Sequence, residues 1–399
     1  MTNKPKKIVF AAGCFWGVQK RFDAIDGVLS TRVGYCGGGY ENPDYEKVLS
    51  FEKISLFSSV KNHTEAVELL YDDQIVDTES LMIAFWEMHD PTQPNGQGND
   101  IGSNYRSAIF YTEPSQLAVA LETRKVYQEL LYRAGYSRIV TEIETLKHFY
   151  PAEEYHQDYL KKYPQGYCPN HSTGVRFERV RVSDKNMDTA TPQKVILLVV
   201  GSGENPEIER FNEDIFMSYR GDIPLKPVAN RELSNYGIHT EIPSEALLLF
   251  VDSGKIIHSL AGDVTPRIFY STLGKFKLGT ESEAYRIAFE QDTEKPFCRI
   301  YEQYKNCGDG VFVDKLSGAI LFDSKDRFDS GSGWLSFFAA SDGATEERAD
   351  YSHGMVRTEV TATLSGIHLG HLFHDGPGGR RRYCINANVV DFIPREELH

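Results

Sequence analysis

Two cysteines stand in settings that favour thiol chemistry. Cys14 lies in GCFWG, between a strand-like run that ends at Ala12 and an amphipathic segment that starts at Phe15. A thiol at a helix N-terminus faces unpaired N–H groups, so we expect its thiolate to be stabilised. Cys384 follows Arg382 by two residues. In a strand that spacing puts both side chains on one face, where the guanidinium lowers the thiol pKa. The sequence therefore predicts two separate thiols whose pKa is lowered.

The other cysteines suggest no disulfide framework. The six cysteines of the chain are far apart, and none forms a Cys-x-x-Cys pair. This spacing argues against a zinc ribbon and against a dithiol redox motif. For each cysteine, the ordinary alternative is a small buried apolar residue. The remaining four are Cys36, Cys168, Cys298 and Cys307.

The elements around the two cysteines belong to different fold classes. The first segment alternates a strand at Lys7–Ala12 with helices at Phe15–Ile25, Ser80–Met88 and Ser115–Ala134. This alternation predicts an α/β sandwich. The last segment is mostly β, with short strands between Gly and Asp turns. Those predicted strands are Gly310–Val313, Ile320–Phe322, Met355–Thr361, Leu369–Phe373 and Tyr383–Ile385.

The middle segment has the order βαβ…ββα. A strand at Val195–Val200 precedes an amphipathic helix over 206–220, and a hairpin around Asp252–Gly254 precedes a helix at Pro266–Leu273. The order resembles a trimmed thioredoxin fold, and the Ile242–Pro243 bond falls where thioredoxins place a cis proline. No cysteine lies between 169 and 297. We therefore expect a spacer or docking module that carries no electrons.

Length and charge narrow the function classes. A chain of 399 residues predicts a multidomain protein, with expected domains at 1–184, 193–275 and 278–399. The 43 basic residues are outnumbered by 57 acidic ones, and the net charge of -14 disfavours nucleic acid and membrane surfaces as partners. The start MTNKPKKIVF has no signal-like apolar segment. We expect a cytoplasmic protein.

Residues 7–180 resemble methionine sulfoxide reductase A in five ordered motifs: GCFWG, VGYCGG, NHTEAVEL, HDPTQPNGQGNDIGSNYRSAIFY and YHQDYLKKYPQGYC. Two features depart from the family: a longer loop between Tyr45 and His63, and Gly96 in place of a basic residue. The resemblance implies Cys14 as nucleophile and Phe15 and Trp16 as the pocket for the methyl group, although core packing would also explain these rings. It further implies four residues around the sulfoxide oxygen: Tyr35, Glu65, Asp100 and Tyr105.

These residue types suit sulfoxide reduction. A thiolate that attacks the sulfoxide sulfur must expel oxygen, which leaves only when protonated. Glu65 in a partly apolar site would keep a raised pKa and supply that proton, while the two tyrosine hydroxyls bond the oxygen. Attack leaves a sulfenic acid on Cys14, which a second thiol converts to a disulfide. The resemblance places Cys168 in that resolving role. Arg176 stands where relatives often have a further resolving cysteine, and Cys36 is a bystander.

Residues 300–394 resemble methionine sulfoxide reductase B in FDSGSGWLSF, MVRTEV, GIHLGHLFHDGP and RRYCINANVVDFIP. That family acts on the opposite sulfoxide epimer. The resemblance implies Cys384 as the nucleophile, His371 as the proton donor and Trp334 as the methyl-binding face. His368, Asn386 and Arg382 complete the implied site.

Two departures from the second family bear on metal and recycling. Many members hold structural zinc with two Cys-x-x-Cys pairs, but the equivalent positions lack thiols, so we predict no zinc. The position two residues before Trp334, where the family often has its resolving cysteine, holds Ser332. The proline that follows this tryptophan in the family is replaced by Leu335. Cys298 then becomes the candidate resolving thiol, with Cys307 or direct external reduction as alternatives. The zinc positions hold Asp314, Ser317, Ala362 and Ser365.

The sequence thus predicts an enzyme that reduces both epimers of methionine sulfoxide. We expect a thioredoxin system as reductant, free or protein-bound methionine sulfoxide as substrate, and no bound cofactor. One alternative is that only the first domain is catalytic and the last domain binds or senses oxidised methionine. Retention of Cys384, His371, Trp334 and Asn386 argues against it. A cysteine hydrolase is excluded because no Cys/His/Asn order fits.

Overall fold

The computed structural model describes residues 4–54, 60–177, 194–201, 206–211, 215–239, 246–351 and 356–398. These residues fall into two compact units. The first contains the first segment, the second contains the last segment, and pieces of the middle segment belong to each. Among the described residues, no helix is long and apolar enough to cross a membrane.

The first segment folds around one mixed sheet. Its strands are β1 (Lys6–Ala11), β2 (Val28–Cys36), β3 (Thr64–Tyr71), β4 (Gly96–Gln97), β5 (Asp100–Ile101), β6 (Ala108–Tyr111), β7 (Glu142–Thr145) and β8 (Phe149–Pro151). Its helices are α1 (Phe15–Asp23), α2 (Tyr45–Ile54), α3 (Thr78–Met88), α4 (Pro114–Arg133) and α5 (Tyr159–Lys162). Six strands form a sheet in the order β7-β6-β1-β3-β2-β8, in which β6 and β7 pair in parallel.

The core of this unit places α1 against the sheet. Phe10 of the central strand β1 is fully buried, and its ring stacks on Phe22 of α1 and on Phe85 of α3 at 5.0 Å each. Apolar residues of α1 at helical spacing, Val18 and Phe22, face the same core. The predicted α/β fold of the first segment is confirmed, and each predicted element lies within a few residues of its observed bounds.

The middle segment forms a four-stranded sheet in the order β10-β9-β11-β12. Its elements are β9 (Lys194–Val200), α6 (Pro206–Phe211), β10 (Leu225–Ala229), β11 (Ala246–Asp252), β12 (Lys255–Ala261) and α7 (Pro266–Leu278). The α/β prediction is confirmed in this coarse form. Two bounds were wrong: Tyr219 and Arg220 lie outside any helix, and α7 continues five residues past Leu273. The Ile242–Pro243 bond lies outside the described residues.

The last segment is rich in strands, as predicted. Two helices, α8 (Glu283–Glu290) and α9 (Arg299–Tyr304), precede β13 (Gly310–Asp314), β14 (Ile320–Asp323), β15 (Arg327–Phe328), β16 (Leu335–Phe337), β17 (Thr345–Asp350), β18 (Arg357–Ala362), β19 (His368–Phe373), β20 (Arg382–Ile385) and β21 (Val390–Pro394). A three-stranded sheet has the order β14-β13-β21, and a six-stranded sheet has the order β15-β16-β20-β19-β18-β17. The larger sheet carries the second cysteine at its centre.

Candidate active sites

Cys14 occupies the N-cap position of α1, as the sequence predicts. The preceding residue, Gly13, has a φ of +88°, and a Cβ atom there would lie 2.9 Å from the side chain of Gln97. Only glycine combines this left-handed backbone with so close a neighbour. The tight turn from β1 into α1 therefore fixes where the thiol points.

A buried carboxyl group lies beside this turn. Glu65 of β3 pairs directly with Tyr35 of β2, and its Oε2 accepts the backbone N–H of Phe15 at 3.0 Å. Glu65 is 3% exposed, and burial raises its pKa to about 8. At neutral pH the side chain is therefore mostly a neutral acid, as donating a proton requires.

The Cys14 thiol itself differs from our expectation. The N–H groups of Trp16 and Gly17 lower its pKa, as a helix N-terminus should, but burial and the nearby Glu65 carboxyl outweigh them. The net pKa of Cys14 is raised, so the prediction of a stabilised thiolate was wrong for the free site. The sequence showed the helix end but not the apolar packing or the acidic neighbour.

Aromatic rings wall the side of the site next to Cys14. Phe15 lies 6.0 Å from the Tyr35 ring, and Trp16 stacks on Tyr159 of α5 at 3.9 Å. His156 is 2% exposed, and its ring centroid lies 5.2 Å from that of Phe15 and 5.6 Å from that of Trp16. Sequence analysis missed His156 and Tyr159 as wall residues, although both stand in the YHQDY motif that it quoted.

The two tyrosines implied around the oxygen come from strand β2 and from a loop. Tyr35 donates its hydroxyl to Glu153 at 2.9 Å. Tyr105 ends a short 3-10 helix whose first residue, Ser103, donates its N–H to Glu52 of α2 at 3.0 Å. Burial raises the pKa of both tyrosines, so each remains a hydroxyl donor at neutral pH. Glu52, between Tyr45 and His63, therefore supports the Tyr105 loop.

Asp100 contacts the chain around Cys168. Its Oδ1 accepts the Tyr167 hydroxyl at 2.9 Å, and its Oδ2 lies 3.6 Å from Nε2 of His171. A Cβ atom added to Gly17 would lie 3.5 Å from Sγ of Cys168. The segment that carries Cys168 thus lies over the first turn of α1.

This arrangement brings the Cys168 segment next to Cys14, the thiol that Cys168 is predicted to resolve. A cavity beside α1 is lined by Cys14 and Gly17 on one side and by Pro169 and His171 on the other. Cys168 is exposed, whereas Cys36 is 1% exposed and donates its thiol to the His148 carbonyl at 3.2 Å. The contrast fits the resolving role predicted for Cys168 and the bystander role of Cys36.

The second site is built by strand register. Cys384 of β20 lies directly opposite His371 of β19 on one side and opposite Ser336 of β16 on the other. Gly370 has a φ of +153°, and a Cβ atom there would lie 2.0 Å from the Cys384 carbonyl oxygen. Glycine at this position lets β19 pass close to the nucleophile's strand.

Arg382 provides the positive charge predicted beside Cys384. Its guanidinium forms two bonds with Asp375, at 2.8 Å and 2.9 Å, and its side chain is 11% exposed. Burial raises the pKa of Cys384, and Arg382 is the largest effect that lowers it. The predicted direction of the arginine effect is correct, but burial exceeds it in the free site.

Each histidine of this site is paired with a carboxylate. Nε2 of His371 lies 2.9 Å from Asp350, and Nδ1 of His368 lies 2.7 Å from Glu359. The two imidazole rings are 5.3 Å apart. Burial lowers the pKa of His368 and Glu359 opposes that change. Sequence analysis missed both carboxylates because they lie on β17 and β18, far from the histidines along the chain.

Glu294, which the sequence analysis missed, connects Trp334 with the segment that carries Cys298. The indole N–H of Trp334 donates to the Glu294 carbonyl at 3.1 Å. The side chain of Asn386 accepts the Glu294 N–H at 3.2 Å. Cys298 is the N-cap of α9, where its sulfur accepts the Tyr301 N–H at 3.4 Å.

The alternative recycling positions lie elsewhere in this domain. Ser332 bonds Ser330 at 2.7 Å, and Ser330 bonds Ser336, the residue opposite Cys384, at 2.8 Å. The family's usual resolving position is thus close to the nucleophile but carries a hydroxyl. Cys307 instead accepts a bond from Arg327 at 3.0 Å and lines a separate surface cavity.

Hydrogen bonds connect three of the four positions where many relatives hold zinc, Asp314, Ser317 and Ser365. Asp314 is 1% exposed and accepts the N–H groups of Leu316 at 2.8 Å and Ser317 at 3.2 Å. The Ser365 hydroxyl donates to the other carboxylate oxygen of Asp314. One carboxylate, two hydroxyls and an alanine lack the thiolates that structural zinc requires.

Comparisons with known proteins match both the first and the last segment of the chain. A family model described as peptide methionine sulfoxide reductase matches residues 6–187, and a model described as the SelR domain matches residues 280–394. Methionine sulfoxide reductase A of Corynebacterium diphtheriae is 41% identical, and the match covers 44% of this chain and 82% of that chain with a TM-score of 0.39.

Two structures of Mxr1 from Saccharomyces cerevisiae also match. The reduced form is 34% identical, and the match covers 44% of this chain and 95% of that chain with a TM-score of 0.37. A structure in complex with Trx2 is 24% identical, and the match covers 44% of this chain and 94% of that chain with a TM-score of 0.27.

Proposed function

The chain belongs to the peptide methionine sulfoxide reductase family and carries a second, SelR domain, and we propose that Cys14 and Cys384 are the nucleophiles of its two reactions. It is an enzyme that reduces both the S and the R epimer of methionine sulfoxide. One observation supports both assignments. In each domain a thiol lies close to a group able to give a proton: Glu65 beside Cys14, and His371 opposite Cys384.

In the first domain, the Cys14 sulfur attacks the sulfoxide sulfur while the oxygen takes up protons. Glu65 starts as a neutral acid and gives its proton to the oxygen, and the Cys14 thiol proton restores that acid. The hydroxyls of Tyr35 and Tyr105 bond the oxygen, and Phe15 and Trp16 hold the methyl group. Water or the departing hydroxide then bonds the Cys14 sulfur while the sulfur–sulfur bond to the substrate breaks, so methionine leaves and Cys14 is left as a sulfenic acid.

Cys168 then resolves this sulfenic acid. Its thiol attacks the Cys14 sulfur, a disulfide forms, and the sulfenic oxygen leaves as water. The contacts of Asp100 with Tyr167 and His171 support the step, because they hold Cys168 over the helix turn that carries Cys14.

In the second domain, Arg382 supports the thiolate of Cys384 and His371 gives the proton to the departing oxygen. Asp350 orients the His371 ring through its contact with Nε2. Trp334 supplies the methyl face, while His368 and Asn386 complete the wall. Cys298 resolves the sulfenic acid, in preference to Cys307, because its segment bonds to the Trp334 loop and to the turn after Cys384.

Thioredoxin is the proposed reductant of both disulfides, and no bound cofactor is needed. Mxr1 has been solved in complex with Trx2, and the first domain of this chain is 34% identical to it. We place the enzyme in the cytoplasm, where reduced thiols persist and a thioredoxin system is available.

The middle segment is proposed to be a thioredoxin-like module without redox activity. The strand order β10-β9-β11-β12, with a helix between the first two strands and another after the last, supports this fold. The middle segment also contacts the last segment within the second unit, because the N–H of Arg220 donates to the Ser317 carbonyl at 2.7 Å. Deleting residues 193–275 should leave dithiothreitol-driven reduction intact and slow only thioredoxin-driven turnover if the module is a docking site.

Single-turnover chemistry tests the resolving assignments. The reduced enzyme receives one pure epimer without reductant, and methionine and disulfides are then measured by chromatography and peptide mapping. We expect Cys168→Ser to release one methionine from the S epimer but to form no disulfide, and Cys298→Ser to do the same with the R epimer. Matched controls are Cys36→Ser and Cys307→Ser. A Cys307–Cys384 bridge, or unchanged thioredoxin-driven turnover of Cys168→Ser, would contradict the assignments.

A further inference from the structure

Glu294 is a buried carboxylate that the reaction described above does not use. It lies between α8 and α9 and is 1% exposed. Its Oε1 accepts the N–H of Ala387 at 2.8 Å, and its Oε2 accepts the N–H and side-chain amide of Asn388 at 2.9 Å and 2.8 Å. A buried charge is stable only when it has such partners. Glu294 therefore holds the turn that follows Cys384 against the segment that leads to Cys298.

The main chain of Glu294 fixes two further groups of the site. Its carbonyl accepts the Trp334 indole N–H, and its N–H donates to Asn386. These contacts use backbone atoms, so a change of the side chain from Glu to Gln leaves them in place. The carboxylate can therefore be changed with the methyl face still supported.

The Glu294 carboxylate also neighbours the Cys298 thiol. Burial raises the pKa of Cys298, and the Glu294 carboxylate adds to the rise through its charge and through a side-chain hydrogen bond. Asn388, which donates to Glu294, places its amide nitrogen 4.0 Å from the Cys298 sulfur. Burial also raises the pKa of Glu294. A carboxyl group shifted toward neutral pH is a suitable acceptor for a thiol proton.

We propose that Glu294 is the general base of the resolving step in the second domain. The proposal rests on the proposed role of Cys298. As Cys298 attacks the sulfenic sulfur of Cys384, its thiol proton passes to the Glu294 carboxylate. The new S–S bond forms while the S–O bond of the sulfenic acid breaks. The oxygen leaves as hydroxide, takes up that proton and departs as water, so the thiol is oxidised and the sulfenic acid is reduced.

The experiment separates the two steps of one turnover. Reduced enzyme is mixed with the R epimer without reductant, and methionine release and the Cys298–Cys384 disulfide are followed by quenched-flow and mass spectrometry. We expect Glu294→Gln to release methionine at a rate within about threefold of wild type and to form the disulfide about 10²-fold more slowly, the usual scale of a lost general base. Its disulfide rate should rise about tenfold per pH unit, whereas the wild-type rate should level off once Glu294 is ionised.

Three variants make the result decisive. Glu302→Gln, an exposed glutamate on α9, should leave both rates unchanged. Glu294→Asp keeps a carboxylate and should recover part of the disulfide rate. Should Glu294→Gln slow both steps equally, or form the disulfide at the wild-type rate while Cys298→Ser forms none, the base role is overturned and Cys298 stays the resolving thiol. A Cys384 disulfide formed in Cys298→Ser would overturn the proposed resolving thiol and the base role with it.

Discussion

The two proposed nucleophile sites place different electrostatic groups beside the same kind of thiol. Cys14 sits at a helix end beside the buried acid Glu65, and burial with this neighbour raises the pKa of the thiol. Cys384 sits in a strand beside the cation Arg382, which partly offsets the effect of burial. Each thiol must attack the same sulfoxide group. The comparison shows that one site depends mainly on a buried acid beside the thiol, whereas the other depends mainly on a cation that stabilises the thiolate.

The proton donors follow the same division. The first site keeps a carboxyl group neutral by burial, whereas the second site pairs imidazole rings with carboxylates, His371 with Asp350 and His368 with Glu359. Burial lowers the pKa of His368, and Glu359 opposes that change. Burial raises the pKa of both thiols, but the first site places a carboxyl group beside its thiol and the second places a cation there, so pH and substitution should affect the two sites differently.

The largest effect should come from the nucleophiles. We expect Cys14→Ser to lose reduction of the S epimer by at least about 10³-fold and to keep reduction of the R epimer, because removal of a nucleophile abolishes the covalent route. Cys384→Ser should show the reverse. Methionine formed from each pure epimer with dithiothreitol measures both. Loss of both activities in either variant would show that the sites do not act separately.

The proton donor of the first site should have the next largest effect. Glu65→Gln cannot give a proton, so the S-epimer rate in a single turnover should fall about 10²–10⁴-fold. The wild-type rate should fall as the pH rises through about 8, because Glu65 then loses its proton. Glu68→Gln is the matched control, since Glu68 lies three residues along β3 and is ion-paired to Lys7 and Arg32. A pH profile for the S epimer that stays flat to pH 9 would refute the role.

The cation of the second site should have a smaller effect that depends on pH in the opposite direction. Arg382→Gln removes the main group that lowers the Cys384 pKa, so less thiolate is present at any given pH. The R-epimer rate at pH 7 should fall about tenfold for each unit by which the Cys384 pKa rises. The R-epimer rate should recover as the pH rises. Arg348→Gln, with an exposed side chain, is the control. A loss that does not change with pH would mean that Arg382 acts through structure alone.

The smallest effect should come from the contact that holds the Cys168 segment. Tyr167→Phe removes the bond to Asp100, worth about 1 kcal/mol, so disulfide formation between Cys14 and Cys168 should slow about fivefold. Tyr163→Phe, four residues earlier, is the control. Peptide mapping after timed quenching of one S-epimer turnover measures both variants. An unchanged rate would show that Asp100 does not position Cys168.

The sequence alone located most of the elements and, through the two reductase families, the reaction. Helical spacing from Phe15 and the Gly13–Cys14 turn are local features, and local features fix where a helix starts. Strand alternation likewise located β19 and β20, which carry His371 and Cys384. The motifs then linked these positions to the two reductase families.

Only the tertiary structure decided the electrostatics and the supporting residues. The pKa of Cys14 depends on burial and on Glu65, which is 51 residues away along the chain, so local sequence gave the wrong direction. Asp350, Glu359 and Glu294 reach the second site through strand pairing and loop packing that no spacing in the sequence reveals. Burial and distance are properties of the folded chain, because they arise when segments far apart in sequence exclude water together.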